Sequence, residues 1–217
     1  MKKIIFTISM LFIILSTSLS LAQDFIGNIN VIPYSVLTLD SKWNQGQWGK
    51  LSKQTGSGIE IDVRSESDPI SLTIGIFRYT GSKTNEYPIF GTNYSYSEGL
   101  DLDTTIVDFG IKKIWHQSDN PNYKYGLTFS VGGGLEYANT KVDYIIENEL
   151  FGKFRESNHN EGVGYWMKNS IYYTFMSGFN VGGEVKYSYV DVDFIEVNNA
   201  KFNVGGFSYG IVVGYNF

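Results

Sequence analysis

From about residue 57 to the C-terminus, bulky apolar side chains alternate with small or polar ones, residue by residue. The last segment is the plainest: Phe207, Tyr209, Ile211, Val213, Tyr215 and Phe217 alternate with Ser208, Gly210, Val212, Gly214 and Asn216. A period of two places one set on each face of a β-strand, and a helical period of 3.6 cannot produce that division. The same parity recurs in Tyr125, Leu127, Phe129, Val131, Gly133, Leu135 and Tyr137, which alternate with Lys124, Gly126, Thr128, Ser130, Gly132, Gly134 and Glu136. It returns in Val181, Gly183, Val185, Tyr187 and Tyr189 against Gly182, Glu184, Lys186 and Ser188. Strands are predicted over 57–65, 70–80, 101–115, 123–144, 163–175, 179–193 and 202–217. An eighth, with poor alternation, lies within 25–41, where Pro33 requires a strand start, a bulge or an irregular lead-in.

The connections alternate in length. Residues 66–69, 116–122 and 176–178 are short and rich in turn formers, whereas 42–56, 81–100 and 145–162 are long and polar, and 194–201 is intermediate. Short turns on one rim and long loops on the other describe an up-and-down barrel, and in outer-membrane barrels the short turns face the periplasm. A weak repeat, Val131-Gly132-Gly133-Gly134-Leu135-Glu136-Tyr137 against Val181-Gly182-Gly183-Glu184-Val185-Lys186-Tyr187, puts paired glycines inside strands. Strongly curved sheets need them there.

Alternation alone does not distinguish a lipid-facing sheet from a soluble sandwich; the polar face does. It is largely Gly, Ser and Thr, with charges of both signs at matching parity: Glu60, Asp62, Asp108, Glu136 and Glu184 against Arg64, Lys112, Lys124, Lys168 and Lys186. Small residues and balanced charge suit the narrow lumen of an eight-stranded barrel, where ions must be paired. The opposite face, with Ile70, Leu72, Ile74, Ile76, Leu127, Phe129, Val185, Tyr209, Ile211 and Val213, is expected to meet lipid. Two outward positions are awkward there: Lys113, which can snorkel from near a turn, and Asn169, for which a parity-resetting bulge is the expected remedy. Trp115, Tyr123, Tyr125, Tyr165, Tyr173, Tyr189, Tyr215 and Phe217 are candidates for interfacial girdles.

Residues 1–22 read as a signal peptide rather than structure, with Lys2 and Lys3, an apolar run from Ile4 to Leu15, and a Ser20-Leu21-Ala22 cleavage signal. That leaves 23–217 as one barrel domain. Composition then narrows the chemistry. The 217 residues include 16 Tyr and 15 Phe, which argues for order, and no Cys, which excludes disulfides, thiolate metal sites and thiol nucleophiles. A net charge of −5 without a basic stripe excludes nucleic acid as a partner, and neither the 2 His nor any cluster suggests a metal or other cofactor.

The ending Tyr209-Gly210-Ile211-Val212-Val213-Gly214-Tyr215-Asn216-Phe217 resembles the C-terminal strand of Gram-negative outer-membrane barrels. The resemblance implies that Tyr215 and Phe217 carry the signal read by the barrel assembly machinery, with periplasmic chaperones as partners during export. With the leader, length and loop rhythm, the chain resembles small OmpA-, OmpX- and OmpW-like barrels. The resemblance implies an all-β, eight-stranded antiparallel transmembrane barrel in the outer membrane, in contact with its lipids and lipopolysaccharide. The expected role is non-enzymatic: an anchor presenting surface loops for adhesion, surface interaction or envelope integrity, with an unidentified surface ligand. The alternatives are a narrow channel or an OmpW-like path for hydrophobic molecules. A remote one is a lipid A deacylase, whose His-x-Ser arrangement resembles His116-Gln117-Ser118 followed by Asp119. The loop count puts these residues in a turn on the side away from lipopolysaccharide. His159, in a polar loop, reads as solvated.

Overall fold

The computed structural model describes residues 25–39, 53–65, 69–88, 95–117, 125–148, 152–194 and 200–217. The proposed leader, Tyr123, Lys124, Ser118 and Asp119 lie outside them. The strands, in chain order, are β1 (Phe25–Leu39), β2 (Lys53–Ser65), β3 (Ile70–Pro88), β4 (Ser95–Gln117), β5 (Gly126–Asn148), β6 (Gly152–Thr174), β7 (Phe179–Phe194), β8 (Ala200–Asn203) and β9 (Gly206–Asn216). Each of β1 to β7 pairs antiparallel with the next, and β9 closes the ring by pairing with both β7 and β1. The short β8 continues the stave of β9 along β7, so the barrel has eight staves. No helix occurs among the described residues.

Two irregularities explain the places where alternation fades. In β1 the register shifts against both neighbours across Pro33, between Ile32 and Ser35 on one side and Val31 and Tyr34 on the other. Pro lacks the ladder N–H, so a bulge accommodates it, and parity flips beyond it. Between β8 and β9, Asn203 Oδ1 accepts bonds from the Val190 N–H at 3.1 Å and the Gly205 N–H at 2.8 Å, bridging the break in the ladder. At the turn-side rim, Gly178 (φ 86°) completes the turn from Phe175 to Phe179, where the Gly178 N–H bonds to Phe175 O at 2.9 Å.

The segments 81–100 and 145–162 are not long loops. β3 and β4 stay paired out to Pro88 and Ser95, and β5 and β6 out to Asn148 and Gly152. Pairing of β2 with β3 ends at Thr55 and Thr80, and pairing of β6 with β7 ends at Gly162 and Val192. The far halves of β3 to β6 thus leave the ring as a four-stranded sheet. Their polar composition suggested loops, but a hairpin satisfies its backbone by cross-strand bonds whether or not a face is apolar. His116 and Gln117 are likewise the last residues of β4, and His116 pairs with Thr128 rather than lying in a turn.

Outside, apolar side chains form a continuous belt that includes Ile70, Leu72, Ile76, Phe129, Val185, Tyr209 and Ile211, all exposed, with Ile74, Leu127 and Val213 half-exposed. An exposed apolar band of this extent marks a surface that meets lipid or another apolar partner rather than water. Tyr215 and Phe217 face outward at the turn-side edge, and the Gly27 and Phe217 backbones exchange two bonds of 2.9 Å. Lys113 also faces outward, its Nζ 5.2 Å from the centre of the Trp115 ring. Asn169 is exposed as well, and no bulge rescues it: β6 runs in unbroken register with β5 from Gly152 to Thr174.

Candidate functional site

The inward residues divide the barrel into two halves. At mid-height and toward the turns they are polar. Glu60 receives bonds from Lys112 and, at 2.5 Å, from Lys168 Nζ. Lys112 Nζ also lies 3.0 Å from Asp62 Oδ1, and Lys168 Nζ lies 3.3 Å from Glu184 Oε2. Asp62 further accepts from Thr73 and, at 3.4 Å, from Asn30 Nδ2. A second group centres on Lys186, whose Nζ bonds to Asp108 at 2.7 and 2.8 Å and lies 2.6 Å from Glu136 Oε2. All eight of these ionisable side chains are buried. Arg64 is half-buried and lines a cavity of about 30 Å³ at the turn-side end with Asn28, Asp62, Thr128, Tyr172 and Asn216. That volume holds one or two waters.

Two buried rings, Phe77 and Trp166, lie among these ions. Lys186 Nζ sits 4.9 Å and Lys168 Nζ 5.0 Å from the centre of the Phe77 ring, and Lys168 is also 5.7 Å from Trp166, so the lysines lie over π-faces as well as beside carboxylates. The Trp166 indole N–H donates to Leu135 O at 3.0 Å. Parity was a usable sign for both rings: Phe77 falls between outward Ile76 and Arg78, and Trp166 between outward Tyr165 and Met167.

Farther from the turns the interior is largely apolar, unlike the polar lumen expected throughout, with Gln54, Thr104 and Thr140 as its buried polar members. Ile32, Leu37, Leu39, Tyr79, Leu100, Leu102, Ile106, Ala138, Val142, Val190, Val192, Val204 and Val212 pack as one buried cluster with Phe77. Leu100 and Leu102 come from a stretch read as loop or strand edge, and Leu37 and Leu39 follow the Pro33 bulge, so their inward parity was hidden. Apart from the small turn-side cavity the interior is therefore filled, by ion pairs toward the turns and a mostly apolar core above them.

A second constellation lies on the outer face of the barrel at the base of the protruding sheet. Arg78 bonds to Asp103 through Nε at 3.0 Å and Nη2 at 2.6 Å. Asp143 accepts from Lys141 Nζ at 2.6 Å, from Arg155 Nη2 at 2.5 Å and from Ser157. Burial opposes ionisation of Asp143, but the bonds from Lys141, Ser157 and Arg155 outweigh it and hold the carboxyl well below the usual carboxylate range. A carboxyl whose folded pKa is depressed contributes stability above its unfolded pKa of about 3.9 and loses it only as pH falls through the lower, folded value. Protection factors, which divide out the intrinsic pH dependence of amide exchange, are thus expected to be as high at pH 4.5 as at pH 7 for the backbone amides of 141–148 and 152–157, and Asp143→Asn is expected to lower them at both; equal protection in the variant would show that the cluster does not hold the sheet.

No group of His, Asp and Glu positioned to hold a metal occurs among the described residues. Of the deacylase candidates, only the β4 backbone position of His116 is described.

No protein-family model matches the chain, and no curated protein sequence does either. Among solved structures, Ail, the attachment invasion locus protein of Yersinia pestis, matches over 90% of this chain and 100% of its own, at 8% identity and a TM-score of 0.50. The outer membrane protein OprG from Pseudomonas aeruginosa matches over 89% of this chain and 96% of its own, at 10% identity and a TM-score of 0.50. At such identity the likeness is one of fold: this chain has the fold of the small eight-stranded outer-membrane β-barrels.

Proposed function

We propose that the protein is a non-enzymatic anchor in the outer membrane of a Gram-negative bacterium, delivered there by a cleaved leader, that holds its four-stranded sheet above the membrane as an interaction surface. One observation carries this reading: the staves that extend past the ring are rooted in a barrel whose interior, above a small turn-side cavity, is filled by side chains. Trp166, Phe77, Tyr79, Lys168, Lys186 and Leu37 are each at most 2% exposed, so the strands enclose a rigid plug rather than an open passage. A filled barrel is a stable pedestal, and β3 beyond Thr80 and β6 beyond Gly162 end it in an exposed sheet. Adhesion or surface interaction then belongs to that sheet and to the long-loop rim, and lipids and lipopolysaccharide surround the belt. The Tyr215 and Phe217 side chains at the closing strand suit recognition by the barrel assembly machinery during insertion.

The reading predicts two results. Purified protein in planar bilayers should give no steady current above baseline; a sustained open-channel current would transfer the argument to the narrow-channel alternative. Because the sequence has no Cys, Lys153→Cys places a single thiol on the protruding sheet, and a membrane-impermeant maleimide should label it on intact cells. Labelling only after lysis would reverse the orientation or remove the protein from the surface.

A further inference from the structure

The outer face of β6 reads Tyr165, Met167, Asn169, Ile171, Tyr173, and all five are exposed. The two tyrosines mark the edges of the belt on this strand. Tyr165 stacks on Tyr189 with ring centres 5.5 Å apart, and Tyr173 meets Phe175 edge-on at 5.1 Å. At about 3.3 Å per residue and a tilt near 40°, they are separated by roughly 20 Å of height, with Asn169 midway. Its cross-strand neighbours are Val131 on β5 and Val185 on β7, both exposed.

A primary amide at that depth is out of place. Hydrocarbon offers it neither donor nor acceptor, and among the described residues no side-chain hydrogen bond satisfies it. Lys113, the outward-facing charge near the turn-side edge, is long enough to bend to that edge over Trp115. Asn169 has no such reach. The surface around it is also cut away. Gly133 lies beside Met167 and Gly183 beside Ile171, on opposite sides of the amide. A Cβ at Gly183 would meet only the Gly210 carbonyl oxygen, at 3.6 Å, so the notch there is open outward.

We propose that the wall formed by β5, β6 and β7 is a contact between two copies of this chain within the membrane, with the Asn169 amides paired across a two-fold axis. A carboxamide carries a donor and an acceptor, so two related by a two-fold make reciprocal N–H to O bonds and satisfy each other. This self-complementarity selects a second copy: acyl chains cannot supply the bonds, and a different protein would need a matching polar group at the same depth. The outward glycines let the walls approach closely enough for so short a side chain to reach its counterpart, as small residues do between membrane helices. The inference rests on the membrane-spanning reading, and the test separates the two.

In the full chain, Asn169→Cys and Ile61→Cys each introduce one thiol, on β6 and on β2 across the ring. Each variant is expressed in a Gram-negative host, and isolated outer membranes are treated with copper-phenanthroline. The Asn169→Cys protein is expected to run mostly as a disulfide-linked dimer on a non-reducing gel, with at least tenfold less dimer from Ile61→Cys. Asn169→Leu should sediment in detergent as a monomer where the parent sediments as a dimer, while keeping the heat-dependent gel shift of a folded barrel. Equal cross-linking of the two cysteine variants, an adduct to a protein of different mass, or a dimeric Asn169→Leu would each overturn the proposal. Recovery of the parent protein in a buffer-soluble fraction would instead defeat the membrane reading beneath it.

Discussion

Replacing Lys186 by Met is expected to cost the barrel about 3–5 kcal/mol, because it leaves Asp108 and Glu136 as neighbouring buried carboxylates with no cation between them. Both acids are fully buried, so water cannot take over the role of the ammonium. Urea titration of the protein in lipid vesicles, read by the gel shift between folded and unfolded forms, measures the loss. The chemistry also predicts a rescue. A Lys186→Met, Asp108→Leu, Glu136→Leu triple variant replaces the whole ionic group by apolar side chains and should recover most of the lost stability, since such exchanges are often neutral or favourable. Arg78→Ala, which breaks an exposed pair with Asp103, should leave the midpoint where it was. An unchanged midpoint for Lys186→Met would mean that these ions are hydrated and that the interior is not sealed.

Gly110→Val is expected to abolish the folded form. Gly110 faces inward on β4 opposite Gly134, and a Cβ there would run into the Gly133 carbonyl oxygen and lie 2.7 Å from Trp166 Cζ2. Side-chain atoms can shift, but the carbonyl belongs to the adjacent stave and cannot retreat without opening the ladder. The variant should run at its unfolded mobility without heating and be degraded before insertion. Trp166→Ala removes the ring but not the carbonyl, so it should fail to rescue Gly110→Val. Alone, it should fold with a loss of about 3–5 kcal/mol for the deleted indole. A folded Gly110→Val barrel would show that the β4–β5 seam is looser than its close backbone approach implies.

These two sites show how legibility depended on the kind of order involved. The outward belt and the inward charges could be read because each depends on a strand's period of two, a property of consecutive residues. Glu60, Asp62, Asp108, Lys112, Glu136, Lys168, Glu184 and Lys186 all project inward, where parity places them. What parity could not convey is pairing. Lys168 and Glu60 lie far apart in the chain and meet only because the ring brings β6 across from β2. The five carboxylates and five bases of the polar face suggested balance; among the described residues three lysines, Lys112, Lys168 and Lys186, share the interior with all five acids, Arg64 lies toward the rim, and Lys124 falls outside the described residues. Polarity also misled. The hydrophilic stretches 81–100 and 145–162 suggested loops, but hairpin bonding does not require an apolar face. Asn169 suggested a bulge, but the ladder runs through it without interruption.

From residue order alone come the β class, the stave positions, the outward face and the terminal aromatic strand, since each follows from local alternation and from turn-forming residues between alternating runs. Closure decided the rest. Only when the eighth stave meets the first do inward residues from distant strands share one narrow volume, so that lysines find carboxylates near the turns and Leu37, Leu102 and Val190 exclude water near the loops. The same closure leaves the far ends of β3 to β6 without partners on the ring, and for that reason they stand above it as a sheet.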